Sequence, residues 1–135
     1  LAIVCAPMLS FTSIADQENG YYSILVVDGS KNGTGYASKI IYYPGYANCK
    51  RSSGSDFSRA ATRGYADYLK ANFNNAFPYA QTNDIRVIDT RQYSTSELLL
   101  TREQADQRLK EWAAEQKGKG YQVVYSNFNF NCNNL

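Results

Sequence analysis

The sequence predicts an α+β fold: a two-layer sandwich in which a mixed sheet of about four strands, in the order β-β-α-β-α-β, carries two helices packed on one face. Three observations lead there. Short runs rich in β-formers alternate with two long stretches of helical periodicity. Each helical stretch opens on a polar residue suited to capping, and Gly, Pro or Asn-Asp pairs punctuate the junctions. A strand-helix-strand unit makes a right-handed crossover between parallel strands, whereas the first two strands are joined closely enough for an antiparallel hairpin, so the sheet is mixed.

In chain order, residues 1–15 form an apolar run that ends in Ser13-Ile14-Ala15 before the acidic Asp16 and Glu18. Small residues at 13 and 15 suit a signal peptidase, and the run is too short to cross a bilayer as a helix. It reads as the tail of a secretory signal peptide, cut after Ala15. Residues 16–135 then form a single α+β domain of ordinary size.

Residues 21–27 are β-rich and stop at Asp28-Gly29; residues 36–43 repeat the pattern and stop at Pro44-Gly45. Together they predict a β-hairpin whose connection, 28–35, contains three glycines and is long and mobile. This loop lacks the Gly-Lys-Ser/Thr ending of a phosphate cradle, and no helix follows it. Its Asn32-Gly33-Thr34 fits the N-glycosylation acceptor pattern.

From 56 to 76, Phe57, Ala60, Ala61, Tyr65, Tyr68, Leu69 and Phe73 recur at helical spacing, with Ser55 or Asp56 as cap and Pro78 as stop. Residues 85–89 predict the next strand. Thr101 and Gln104 form a capping box at the head of a second helix whose Ala105, Leu109, Trp112, Ala113 and Gln116 share a face. Lys117-Gly118-Lys119-Gly120 ends it. Residues 121–126 make the last strand, and the tail continues its alternation, with Phe128, Phe130 and Cys132 on one side.

Removing residues 1–15 takes Cys5 away and leaves Cys49 and Cys132 as an even pair, which predicts a disulfide outside the cytosol. The bond would close a loop of roughly 80 residues and contribute about 4 kcal/mol in the chain-entropy account. The chain has no histidine, which excludes the Ser, Cys and zinc hydrolase schemes built on that residue. No metal-ligand or cofactor motif occurs, so neither a metal nor a cofactor is expected. With 14 Lys+Arg against 12 Asp+Glu, the net charge of +2 makes nucleic acid an unsuited partner.

Asp28, Asp56, Asp84 and Asp89 are the carboxylates a histidine-free hydrolase would have to use, and Asp28 and Asp89 each end a strand. Each also has a local role as a turn or cap residue. Tyrosine is the compositional outlier, with twelve in 135 residues. Its large, stiff, amphipathic ring suits binding surfaces, and Tyr36, Tyr42 and Tyr121 are the strand tyrosines expected on an exposed sheet face. The densest basic cluster is Lys50 and Arg51 followed at helical spacing by Arg59 and Arg63. Near a helix start these cations suit an anion or an acidic partner.

The stretch 85–124, with its strand, short loop, helix opening at Thr101 and strand led by Gly120-Tyr121, resembles half of the SPOR family of periplasmic domains, whose members bind peptidoglycan on a sheet. The resemblance covers under a third of the chain, and no residue role is carried over from it. The readings converge on a secreted or periplasmic, non-catalytic binding domain with no membrane span in its mature chain and with a protein or a cell-envelope glycan as partner. An exported inhibitor or immunity-type protein that blocks an enzyme with the 28–35 loop is the alternative, and a histidine-independent hydrolase is a third.

Overall fold

The computed structural model describes residues 20–74, 77, 80–89 and 101–135; the expected signal segment with Cys5, and Pro78, lie outside them. Among the described residues a mixed five-stranded sheet and two α-helices make the α+β fold that the sequence predicts. Strand β1 (Tyr21–Val27) is central. Along one edge it pairs antiparallel with β2 (Thr34–Ala37), with Val27 opposite Tyr36, and then with β3 (Ile41–Tyr43), with Tyr22 opposite Tyr42. Along the other edge it meets β4 (Arg86–Ile88), with Leu25 opposite Val87. Strand β5 (Gln122–Tyr125) lies parallel to β2 and closes that side.

The second strand of the expected hairpin is thus two pieces, and a bulge separates them. The register Val26–Ala37 on one side and Ser23–Ile41 on the other leaves Lys39 and Ile40 together opposite Ile24. Ser38 holds the junction. Its amide donates to the Leu25 carbonyl at 2.8 Å, and its hydroxyl accepts from the Leu25 amide at 2.9 Å while donating to the Lys39 carbonyl. A side-chain oxygen therefore replaces the carbonyl that a regular ladder would have offered.

Helix α1 (Gly54–Asn72) starts earlier than the expected 56 because Ser53, not Ser55 or Asp56, is the cap, its hydroxyl accepting from the Asp56 amide. It ends before the expected 76, where Phe73 leaves the helix and packs its ring on Tyr36 at 4.9 Å. Helix α2 (Arg102–Gly118) opens on the predicted capping box, with Thr101 and Gln104 exchanging two hydrogen bonds of 3.1 Å.

The sheet lies between the helices, which differs from the expectation that both share one face. On one side Phe57, Ala61, Tyr65 and Leu69 of α1 pack with Leu25, Val27, Tyr36, Ile41 and Tyr43. On the other, Trp112 and Ala113 of α2 pack with Ile24, Val26, Ala37 and Ile88. The cause is in β1 itself: Ile24-Leu25-Val26-Val27 has no polar alternation, so both faces need cover. The second layer sits close, since a Cβ on Gly35 would stand 3.1 Å from the Trp112 ring.

Cys49 and Cys132 form the expected disulfide, with Cα atoms 5.1 Å apart, and it ties the tail to the turn ahead of α1. Loop 28–33 is held at several points, in contrast to the expected mobile connection. Gly33 donates to the Gly29 carbonyl, the Gly29 amide to Gln116 Oε1 and the Gln122 amide to the Gly33 carbonyl. No described helix is long and apolar enough to cross a membrane.

Candidate functional site

The tail reads Asn127-Phe-Asn-Phe-Asn-Cys-Asn133, a strict period of two. Phe128 lays its ring against Tyr65 and Tyr68 at 5.0 and 5.5 Å, and Phe130 reaches Phe57 at 5.3 Å, so the intervening asparagines face out. Lys39 in the bulge donates its amide to the Phe128 carbonyl and binds the tail to the sheet edge. Asn131 is fixed further: its carboxamide oxygen accepts from the Asn133 amide, and its own amide donates to Asn134 Oδ1, both at 2.9 Å.

Facing this row stands Tyr42, 47 % exposed, with its ring 4.8 Å from that of Tyr22. Between them runs an open groove of about 400 Å³, bounded by Ile40, Tyr42 and Pro44 from the β3 side and by Asn129, Asn131 and Asn133 from the tail, with Asn48 and Arg102 completing it. Among the described residues Arg102 is the one charged residue that lines it. An aromatic face opposed to several uncharged amides can stack on an apolar ligand surface while exchanging hydrogen bonds in both directions.

The structure separates the three candidate tyrosines. Tyr42 lines the groove, whereas Tyr36 is buried beneath α1 between Phe73 and Phe77 and offers no binding surface. Tyr121 lies over the hairpin loop at the far end of β1, where a Cβ on Gly29 would meet its ring at 2.6 Å. The basic residues are similarly dispersed among local partners. Lys50 and Arg51 occupy left-handed backbone in the turn behind Cys49, with φ of 50° and 55°, and Lys50 donates to the Leu135 carbonyl. Arg59 pairs with Asp56 on the exposed side of α1, and Arg63 follows one turn on, exposed.

The carboxylates do not converge. Asp28 sits at the end of β1; the β1–β4 register places Asp89 across from Ser23, five residues and about 17 Å along the strand. Asp28 instead ties three elements. Arg86 donates to both its oxygens at 2.9 and 3.1 Å, and Trp112 Nε1 and Gln116 Nε2 donate to Oδ1 at 3.0 Å. Burial alone would raise its pKa, but the Arg86 and Trp112 hydrogen bonds and the nearby positive charges outweigh it and hold the carboxyl below its ordinary value. Asp84 is lowered chiefly by its contact with Lys31. Burial pushes the Tyr65 hydroxyl the other way, well up, with the Ser126 hydrogen bond offsetting it in part. Among the described residues no three Cys, Asp or Glu side chains gather as a metal site would require.

Compared with protein-family models, with curated proteins and with solved structures, the chain matches none. The SPOR resemblance of residues 85–124 therefore rests on its generic strand-helix-strand rhythm and carries no argument about the groove.

Proposed function

We propose that this protein is a secreted or periplasmic, non-catalytic binding domain that holds a protein or a cell-envelope glycan in the groove between Tyr42 and the asparagine tail. The observation that supports this reading is the groove itself, where an exposed aromatic ring faces an ordered row of amides on a tail tied by the Cys49–Cys132 disulfide. That bond is compatible with an oxidising compartment. A photo-reactive side chain at Asn48, in the full chain, should form adducts with one defined envelope component. The same group at exposed Gln122 on β5 should not. Equal labelling from both positions, or none from either, rejects the groove as the binding site.

A second reading, an inhibitor or immunity-type protein, draws support from the hairpin loop. Ser30, Lys31, Asn32 and Gly33 are exposed on a turn anchored by Gln116 and Gln122, and a pre-formed convex loop loses little entropy on docking. Under this reading the loop, not the groove, carries the partner, and the cross-linker at Asn48 stays unreacted.

A further inference from the structure

We infer that the groove takes a neutral oligosaccharide, with one sugar ring stacked on Tyr42 and its hydroxyls bonded to Asn129, Asn131 and Asn133; this rests on the groove being the binding site. The argument begins with charge. Among the described residues no carboxylate lines the groove and Arg102 is the one cation, so these residues offer an acidic ligand a single positive charge and a basic ligand no counter-ion. The chemistry of the amides narrows the class further. A carboxamide both donates and accepts, as a hydroxyl does, so adjacent amides match the vicinal hydroxyls of a sugar in either sense.

Spacing and order favour an extended ligand. Outward residues on an extended chain recur about every 6.7 Å, so Asn129 and Asn131 present their amides at separate points along the groove. Asn131 is already fixed by two hydrogen bonds, and its neighbour Cys132 is covalently tied to Cys49, so little freedom is lost when a ligand arrives. The apolar element is Tyr42. Its ring has a negative face that attracts the C–H groups on the flat side of a pyranose, and 47 % of the residue is open to solvent. A volume of about 400 Å³ falls within the usual range for small-molecule sites, about 300–1,000 Å³.

The test is calorimetric titration of the full chain with tri- to hexasaccharides of glucose and of N-acetylglucosamine, with a sulfated oligosaccharide of equal length as charged comparator. The expected result is binding of at least one neutral series that strengthens with length and changes less than twofold between 50 and 500 mM salt. Tyr42→Ala should weaken it at least tenfold and Asn129→Ala severalfold, while Tyr42→Phe, which keeps the ring, and Tyr125→Ala, outside the groove, leave it within twofold. Unchanged melting temperatures certify that each variant is folded; if Tyr42→Ala is not, Asn129→Ala decides. No binding of either neutral series at millimolar concentration, preference for the sulfated ligand, or binding that survives both groove substitutions overturns the inference. If sugars fail while adducts at Asn48 persist with a protein, the ligand class alone is wrong; if both fail, the site is wrong.

Discussion

At the scale of single residues, the polar groups inside the sheet are joined in short chains rather than left as isolated bonds. Ser126 donates to the Ala37 carbonyl at 2.6 Å, which commits its proton, so the buried Tyr65 hydroxyl must donate to Ser126 Oγ at 2.9 Å. Direction matters for the cost of breaking the chain. Tyr65→Phe removes one hydrogen bond and leaves Ser126 satisfied, so we expect a loss of about 1 kcal/mol. Ser126→Ala strands a hydroxyl that has no route to water and should cost more, about 2 kcal/mol; urea unfolding of both variants and the double mutant checks the order. Of the groove, Tyr42 was legible in the sequence as a strand tyrosine. The asparagines were not. Their alternation with Phe128 and Phe130 was visible, but it was read for the ring side, and nothing in the chain says that an amide row faces another wall.

At the scale of elements, Asp28 is where β1, β4 and α2 meet, through Arg86, Trp112 and Gln116. Its pKa is lower folded than unfolded, so the ionised carboxyl stabilises the fold above the ordinary aspartate value and that contribution is lost as pH falls through the folded value. Melting temperature should therefore drop below about pH 4. Asp28→Asn should flatten that acid limb while lowering stability at pH 7 by about 1 kcal/mol; a limb unchanged by the substitution would assign the acid sensitivity to other groups. The strands, both helices and the capping box were readable because period and punctuation agreed. The helix placement was also written there, in the unbroken apolar run of β1, but that run was taken for one buried face when it marks two. Helix starts were harder to read: Ser53 and Ser55 are equally good caps on paper, and the choice falls to the one whose hydroxyl meets an amide three residues on.

At the scale of the whole molecule, the strand order is β4-β1-β2-β5, with β3 prolonging the β2 edge, and each helix packs on its own side of the sheet. The last segment laid down, the tail after β5, is held by the Lys39–Phe128 hydrogen bond, by its rings and by Cys132. Closing a loop across 83 positions contributes about 4 kcal/mol in the chain-entropy account, so reduction should lower the unfolding free energy by about that amount. Hydrogen exchange should then rise first in the asparagine tail, while β1 stays protected until global unfolding. Uniform loss of protection on reduction would mean that the tail is part of one cooperative unit with the sheet. A net charge of +2 gives little long-range field, so any partner is selected by contact and not by steering.

The bulge at Lys39 and Ile40 has a consequence for inheritance. If every residue from Tyr36 to Tyr42 took its own place in a regular alternation, the two tyrosines would share a parity and point into the layer beneath α1; because Lys39 and Ile40 together fill one place, Ile41 and Tyr43 take the inward places and Tyr42 turns out. The groove is thus a phase written into the chain and not only a set of side chains. Loss of the Lys39 codon alone would absorb the bulge and leave Tyr42 facing out, whereas loss of the Ser38 and Lys39 codons together would exchange inside for outside over the whole of β3 while leaving every groove residue in the gene. Substitutions can tune such a site by degrees, but a change in the parity of this strand switches it off in a single step, and lineages that keep the groove are bound to keep that parity.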